Sequence, residues 1–215
     1  MKHGAIVEAI NTGTTALAQS LPTNAADQLA TLLEELARWN QRINLTAIRE
    51  IPDMIAGHIM DSLAVRSFLR GQSVIDIGTG AGFPGLPLAI AEPGRRFELL
   101  DGNGKKVGFV RHVIAELGLS NVTAVKARAE NYAPDDGFDT VIARALTDIP
   151  RFIELSSHLL REGGVLLALK GKYPAKELDD LPELWEHDVV ELSVPGLEMH
   201  SRHLIVLKQQ QDSVV

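Results

Sequence analysis

From Ser73 onward, short apolar runs recur along the chain: SVIDIG, RFELLD, VTAVKA, FDTVIAR, GVLLALKG, VVELSV and RHLIVLK. Helix-length segments stand among them, at roughly 84–92, 105–117, 148–161 and 174–186. Near-continuous apolar strands alternating with helices imply a parallel sheet covered on both faces. The last two strands are joined only by a short turn around Pro195–Gly196, which leaves no room for a crossover helix and predicts an antiparallel pair. The expected fold is α/β: a Rossmann-like, doubly wound sheet of about seven mostly parallel strands with one antiparallel edge strand.

The first 70 residues read differently. In AADQLATLLEELARWNQRINLT, Leu29, Leu32, Leu33 and Leu36 fall at helical spacing, and Trp39 and Ile43 continue the stripe. Asn24 stands where a cap belongs. A second helix is predicted after Pro52, through Ile55, Ile59, Leu63 and Phe68. The expected organisation is a helical N-terminal cap over 1–70, a sheet domain over 71–210 and a frayed tail at 211–215.

Composition closes off several functions. The chain has no cysteine, which removes disulfides, thiolate metal sites and a cysteine nucleophile. No window approaches a membrane span, and the start lacks a secretory h-region, so a cytoplasmic protein without a membrane partner is expected. The net charge of −7 weighs against nucleic acid only until its distribution is read. The run from Glu177 to Glu198 holds eight of the 28 acids and none of the 21 lysines and arginines. The remainder is near neutral, and a phosphate backbone responds to local charge.

The most informative stretch is VIDIGTGAGFPG, 74–85. A phosphate-binding P-loop would need Lys-Ser/Thr after its last glycine, and none follows Gly82 or Gly85. The dinucleotide pattern G-x-G-x-x-G matches Gly80, Gly82 and Gly85, but two residues too late relative to the strand's end. The pattern D-x-G-x-G-x-G fits in register, at Asp76, Gly78, Gly80 and Gly82. A carboxylate at the strand's end repels a pyrophosphate and attracts an aminoacyl cation. Asp101 ends the next strand, where an acid can accept both hydroxyls of a ribose. This pair suits S-adenosylmethionine, an adenosine without phosphates that carries a sulfonium and an amino acid. Glycines let the backbone approach it closely.

Several further runs accompany that loop: WNQRINLT (39–46), HIMDSL (58–63), DIGTGAGFPGLPLAI (76–90), LLDGNGKKVGFVRHV (99–113), ARAEN (127–131), IARA (142–145) and ALKGK (168–172). Together they resemble the RsmG family of bacterial small-subunit rRNA (guanine-N7)-methyltransferases, also known as glucose-inhibited division protein B. The resemblance covers nearly the whole chain, in order. One departure is Gly102, where a small hydroxylated residue is expected. The resemblance implies that Gly78 and Phe83 contact the methyl donor, that Ala129 and Glu130 border its adenine, and that Arg144 closes the site.

Absences narrow the acceptor. Without cysteine, covalent methylation at a pyrimidine C5 is excluded. The Asn/Asp-Pro-Pro-aromatic signature of exocyclic-amine methylation is missing after the fourth strand, which reads ARALTD. Guanine N7 has an available lone pair and needs no general base, so alignment alone supplies rate, in principle ~7–11 kcal/mol. Arg144, Lys170 and Arg128 are the expected catalytic donors, toward guanine O6 and phosphate. Lys105, Lys106, Lys172 and Arg42 are expected on the RNA-binding surface, with Arg38 and Arg49 beside Arg42. His58 and Asp61 share a helix face and can hydrogen-bond. Neither they nor His200 and His203 have a third ligand for a metal. The expected partner is 16S rRNA or the small ribosomal subunit, and nothing demands more than a monomer. Two other readings stay open: a dinucleotide-dependent oxidoreductase, and a noncatalytic RNA-binding factor on a methyltransferase fold.

Overall fold

The computed structural model describes residues 1–210; the expected tail at 211–215 lies outside the described residues. Two helices open the chain, α1 (His3–Ala16) and α2 (Ala25–Asn40). Leu29, Leu32, Leu33 and Leu36 are fully buried, as their spacing predicts. Each such side chain contributes about 1.5–3 kcal/mol by leaving water. Asn24 occupies the cap position of α2 in a left-handed conformation, but its side chain makes no capping bond. Next come α3 (Ile51–Met54), a π-helical turn (Ile55–Met60) and α4 (Asp61–Leu63), as one continuous helical stretch.

The sheet domain follows in the expected alternation. In chain order it comprises β1 (Ser73–Ile77), α5 (Gly85–Ala91), β2 (Arg96–Asp101), α6 (Gly104–Glu116), β3 (Val122–Lys126), β4 (Phe138–Arg144), α7 (Ile149–Ser156), β5 (Leu160–Lys170), α8 (Ala175–Asp179), β6 (Trp185–Glu191) and β7 (His203–Gln209). Among the described residues these strands form one seven-stranded sheet, ordered β3-β2-β1-β4-β5-β7-β6. Strands β1 to β5 pair in parallel. The one reversed strand, β7, inserts between β5 and β6 and runs antiparallel to both. The strand order reverses at β1 and β4, and ligands bind beyond the carboxyl ends of strands at such a switch point.

The helix expected over 174–186 is a correction: only Ala175–Asp179 is helical. Pro182 interrupts the segment, and β6 already begins at Trp185 because β7 extends far enough to pair it, Trp185 opposite Gln209. The side chain of Trp185 is buried on the sheet face that also holds Phe138, Phe152 and Ile205.

The N-terminal helices have no separate core. Ile6, Leu29, Leu33, Met54 and Leu63 join Val74, Phe97, Leu99 and Phe109 in one apolar cluster on the other sheet face. This packing holds the π-helical turn in place beside the carboxyl ends of β4 and β5 and the amino end of β7.

Candidate active site

The loop after β1 is built around one buried carboxylate. Gly78, Gly80 and Gly82 all have positive φ, which a residue with a Cβ adopts only under strain. Asp76 is 0% exposed. Its Oδ2 accepts from Thr79 Oγ1 at 2.6 Å and from the Gly85 amide at 2.8 Å, which ties the loop to the start of α5. Burial pushes the carboxyl up to about 7, against the pull of those bonds. Its other oxygen, Oδ1, is buried without a hydrogen-bond partner. Asp76 therefore shapes the loop from beneath, whereas its motif had suggested a place on the cleft wall.

Asp101 is the wall. Its Oδ2 accepts from the Gly80 amide at 2.9 Å, and its Oδ1 from the Asn103 amide at 2.7 Å. Each carboxylate oxygen keeps further lone-pair capacity. Asn103 caps α6 by accepting from the Lys105 amide at 3.0 Å. Above lies a cleft of about 700 Å³, bordered by Gly78, Asp101, Lys106, Ala129, Glu130 and Arg144. Of the residues expected around a donor, Gly78, Asp101, Ala129, Glu130 and Arg144 reach the cleft; Asp76, Gly80 and Phe83 do not line it. At Gly80 a Cβ would meet only Lys106 Nζ at 3.9 Å and the Gly78 carbonyl at 4.0 Å. Gly82 and Gly85 face inward instead. A Cβ on Gly82 would strike Leu86, and one on Gly85 would strike Leu99 and Asp76. The dinucleotide reading needs its middle glycine, Gly82, to let a pyrophosphate approach the backbone, and Gly82 faces Leu86 instead.

Phe83 supports Arg144. Its ring is buried, stacks on His58 at 4.5 Å between centroids, and lies under the Arg144 guanidinium at 5.6 Å. Arg144 Nη1 donates to the Gly57 carbonyl at 2.9 Å and to Asp61 at 3.3 Å, and Nη2 to His58 Nδ1 at 3.3 Å. A guanidinium only donates, so Nδ1 of His58 is the bare nitrogen and Nε2–H faces Thr46 Oγ1 at 2.9 Å. Burial, reinforced by Arg144, holds the His58 pKa down to about 3. His58 and Asp61 thus meet through Arg144; no bond joins them directly. π-helical turns of this kind recur at functional sites.

Asp61, 4% exposed, also accepts from Arg202 Nε at 3.0 Å. The WNQRINLT stretch feeds the same place: Asn40 Oδ1 accepts from the Leu45 and Thr46 amides at 2.8 and 3.1 Å, presenting Thr46 to His58. Thr46, His58, Asp61 and Arg202 went unassigned in the sequence. The i, i+3 spacing of His58 and Asp61 was a signal; Arg202 had none.

The other basic residues are dispersed. Lys170 is held by Thr147 O at 2.7 Å and Glu177 at 2.6 Å, with its side chain 15% exposed. It joins Arg144 around a second, smaller pocket. Arg128 lies on the far wall of the larger cleft, exposed, 4.0 Å from Glu130. Lys105 and Lys172 are exposed, and Lys106 sits at the cleft. Arg42 stands apart, in a recess with Trp39 and His112. Among the described residues there is no cluster of three metal-ligating side chains, and no helix long and apolar enough to cross a membrane.

A sheet in this order, with a glycine loop and buried acid ending β1 and an acid ending β2 at the switch point, defines a Rossmann-like methyltransferase. Solved structures share the fold. A precorrin-6Y C5,15-methyltransferase from Geobacter metallireducens aligns with TM-score 0.52 at 17% identity, over 78% of this chain and 92% of that one. An rRNA methylase from Streptococcus thermophilus aligns with TM-score 0.51 at 15% identity, over 71% and 95%. The GidB family profile, described as rRNA small subunit methyltransferase G, matches residues 25–205. A relative from Idiomarina loihiensis with that same description is 48% identical over 86% of this chain and 89% of its own length. One from Methylococcus capsulatus is 47% identical over 87% and 91%. The chain belongs to the GidB family of small-subunit rRNA methyltransferases.

Proposed function

We propose that the protein transfers a methyl group from S-adenosylmethionine to N7 of a guanine in 16S rRNA, in the cytoplasm. Family membership supports the rRNA substrate and the reaction class. The observation that carries the cofactor reading is the cleft at the ends of β1 to β4, with Asp101 on its wall and the unpartnered Asp76 Oδ1 below the glycine loop. These residues fit the donor. Asp101 has capacity for ribose hydroxyls, and the carboxyl of Asp76 beneath the glycine loop, with Oδ1 unpartnered, offers a negative charge that favours an aminoacyl ammonium above it. When bound, the donor supplies an electrophilic methyl on sulfur.

The chain's own contribution is orientation. Arg144 stands between the two cavities, locked by three bonds and an aromatic ring. Its preset position suits a donor aimed at an acceptor oxygen beside the reacting atom. The groups that flank it have no role as a base. Both nitrogens of His58 are engaged, and Asp61 is committed to two guanidiniums. A nucleophile that loses no proton, such as guanine N7, matches that arrangement.

The test is methyl transfer from labelled donor to small subunits purified from a strain lacking the gene, followed by mapping of the modified nucleotide. The expected product is one N7-methylguanine in 16S rRNA. Label on another base atom, or no label, overturns the reading.

A further inference from the structure

Arg144 is a partition. On one side lies the larger cleft; on the other, a pocket of about 300 Å³ opens between the π-helical turn and the ends of β4, β5 and β7. Arg144 and Ala145 line both. Ala145 has φ 50, a strained conformation for a residue with a Cβ, and such strain persists where the surrounding structure demands it. The backbone after β4 is bent at the junction of the two cavities.

Two features of the smaller pocket, and one beside it, have no role in holding the fold. First, Arg144 uses three of its five N–H donors on Gly57, Asp61 and His58, and its Nε–H and one Nη2–H have no partner among the described residues. Second, His203 Nδ1 is buried and has no hydrogen-bond partner. Leaving such an atom unmatched is costly. Third, Tyr173, 57% exposed, sets its ring edge-on to His203 at 5.7 Å. An exposed aromatic beside a pocket offers a face on which a base can stack. The pocket is also cationic: Arg144, Lys170 and Arg202 outnumber Asp61 and the Glu177 that pairs with Lys170.

Resting on the N7 reading, we infer that this pocket receives the acceptor guanine, with Arg144 facing its O6 and His203 Nδ1 accepting from its N2 amine. N7 and O6 share one edge of guanine. That edge must face the donor cleft, so it must face Arg144, whose unused groups are donors. The far end of the base carries N1–H and the N2 amine, both donors, and what they require is an acceptor. In the tautomer that carries its proton on Nε2, His203 Nδ1 is one. His203 and Lys170 are cross-strand partners in the β5–β7 ladder, so His203 is held at the pocket wall by the sheet itself. Adenine would present an amine to Arg144 and, at C2, no amine to His203. The pocket therefore selects guanine.

The experiment uses the full chain and small subunits reconstituted with either guanosine or inosine at the methylated position. Inosine lacks the N2 amine. Wild type is expected to prefer guanosine by tenfold or more in kcat/KM. His203→Ala is expected to lower kcat/KM on guanosine by tenfold or more and to erase the preference, while S-adenosylhomocysteine affinity stays within twofold. His203→Gln keeps an acceptor and is expected to recover part of the preference, which a merely structural role would not produce. Should His203→Ala fail to fold, His203→Gln and the exposed Tyr173→Ala carry the test, the latter raising KM for the subunit severalfold. If wild type methylates N7 but treats guanosine and inosine alike, or if the variants match wild type, the pocket assignment is overturned and the N7 reading survives. If wild type methylates no guanine N7, both fall.

Discussion

Asp61 and Arg144 lie 83 positions apart in the chain and meet at 3.3 Å, and the same carboxylate holds Arg202 at 3.0 Å. One buried acid from the N-terminal helices thus fixes two cations on the sheet's carboxyl edge. Removing it leaves two guanidiniums without a counter-charge. Asp61→Asn is expected to cost about 2–3 kcal/mol, less than the ~3–5 kcal/mol of a fully buried pair because both arginines keep an edge in solvent. Turnover is expected to fall tenfold or more, with donor-analogue affinity nearly unchanged. Urea unfolding and methyl transfer, run side by side, check this. Wild-type turnover in a destabilised variant would make Asp61 purely architectural.

His58 makes a pH prediction. Its pKa is about 3 in the fold and near 6.5 in the unfolded chain. The unfolded state therefore binds the extra proton as pH falls below 6.5, and stability present above that value is lost toward pH 3. The slope approaches about 1.4 kcal/mol per pH unit. Between pH 7 and 5, wild type is expected to lose about 2 kcal/mol more than His58→Gln. Parallel stability profiles from denaturant titrations would contradict the assignment of a neutral, buried imidazole.

Two glycines are expected to respond with opposite signs. A Cβ at Gly85 would sit 2.0 Å from Leu99 Cδ2 and 2.8 Å from Asp76 Oδ2. Gly85→Ala is expected to destabilise by about 2 kcal/mol or more through overpacking, and to weaken donor binding by displacing the carboxylate that ties the loop. Gly108 lies in α6, and a methyl added there would meet nothing within 4 Å. Gly108→Ala is expected to stabilise by about 0.5–1 kcal/mol with activity unchanged. Thermal melts of both variants decide the matter.

How much of this was legible beforehand follows from range. The α2 stripe and the strand sequence were readable because periodicity is local: Leu29 to Leu36 and SVIDI carry their own burial pattern. The loop motif was readable because left-handed turns need glycine. The start of β6 at Trp185 was not, since it is set by the length of β7, a partner found later in the chain. The role of Asp76 was half readable. Its type and position pointed to an acid at the loop, but only the packing of α5 shows that it is covered. Arg202 and His203 gave no local signal, because their meaning comes from β7 inserting between β5 and β6 and reaching the π-helical turn.

Asp76 ties proton release to donor binding. Its folded pKa of about 7 lies above the ordinary value of 3.8, because burial disfavours the charge. In the free protein the native state holds a proton that the unfolded chain lacks between about pH 4 and 7, so this group's contribution to stability declines across that window as pH rises. A cationic aminoacyl group near Oδ1 favours the ionised carboxylate, and binding near pH 7 should expel the proton. Affinity for S-adenosylhomocysteine is therefore expected to rise from pH 6 to 7.5, with about half a proton released at pH 7. Calorimetry in two buffers of different ionisation enthalpy measures that release directly. Asp76→Asn is expected to abolish the proton release and the pH dependence together. A wild-type heat independent of buffer would mean that Asp76 stays neutral beneath the loop and that the ammonium finds its partner elsewhere.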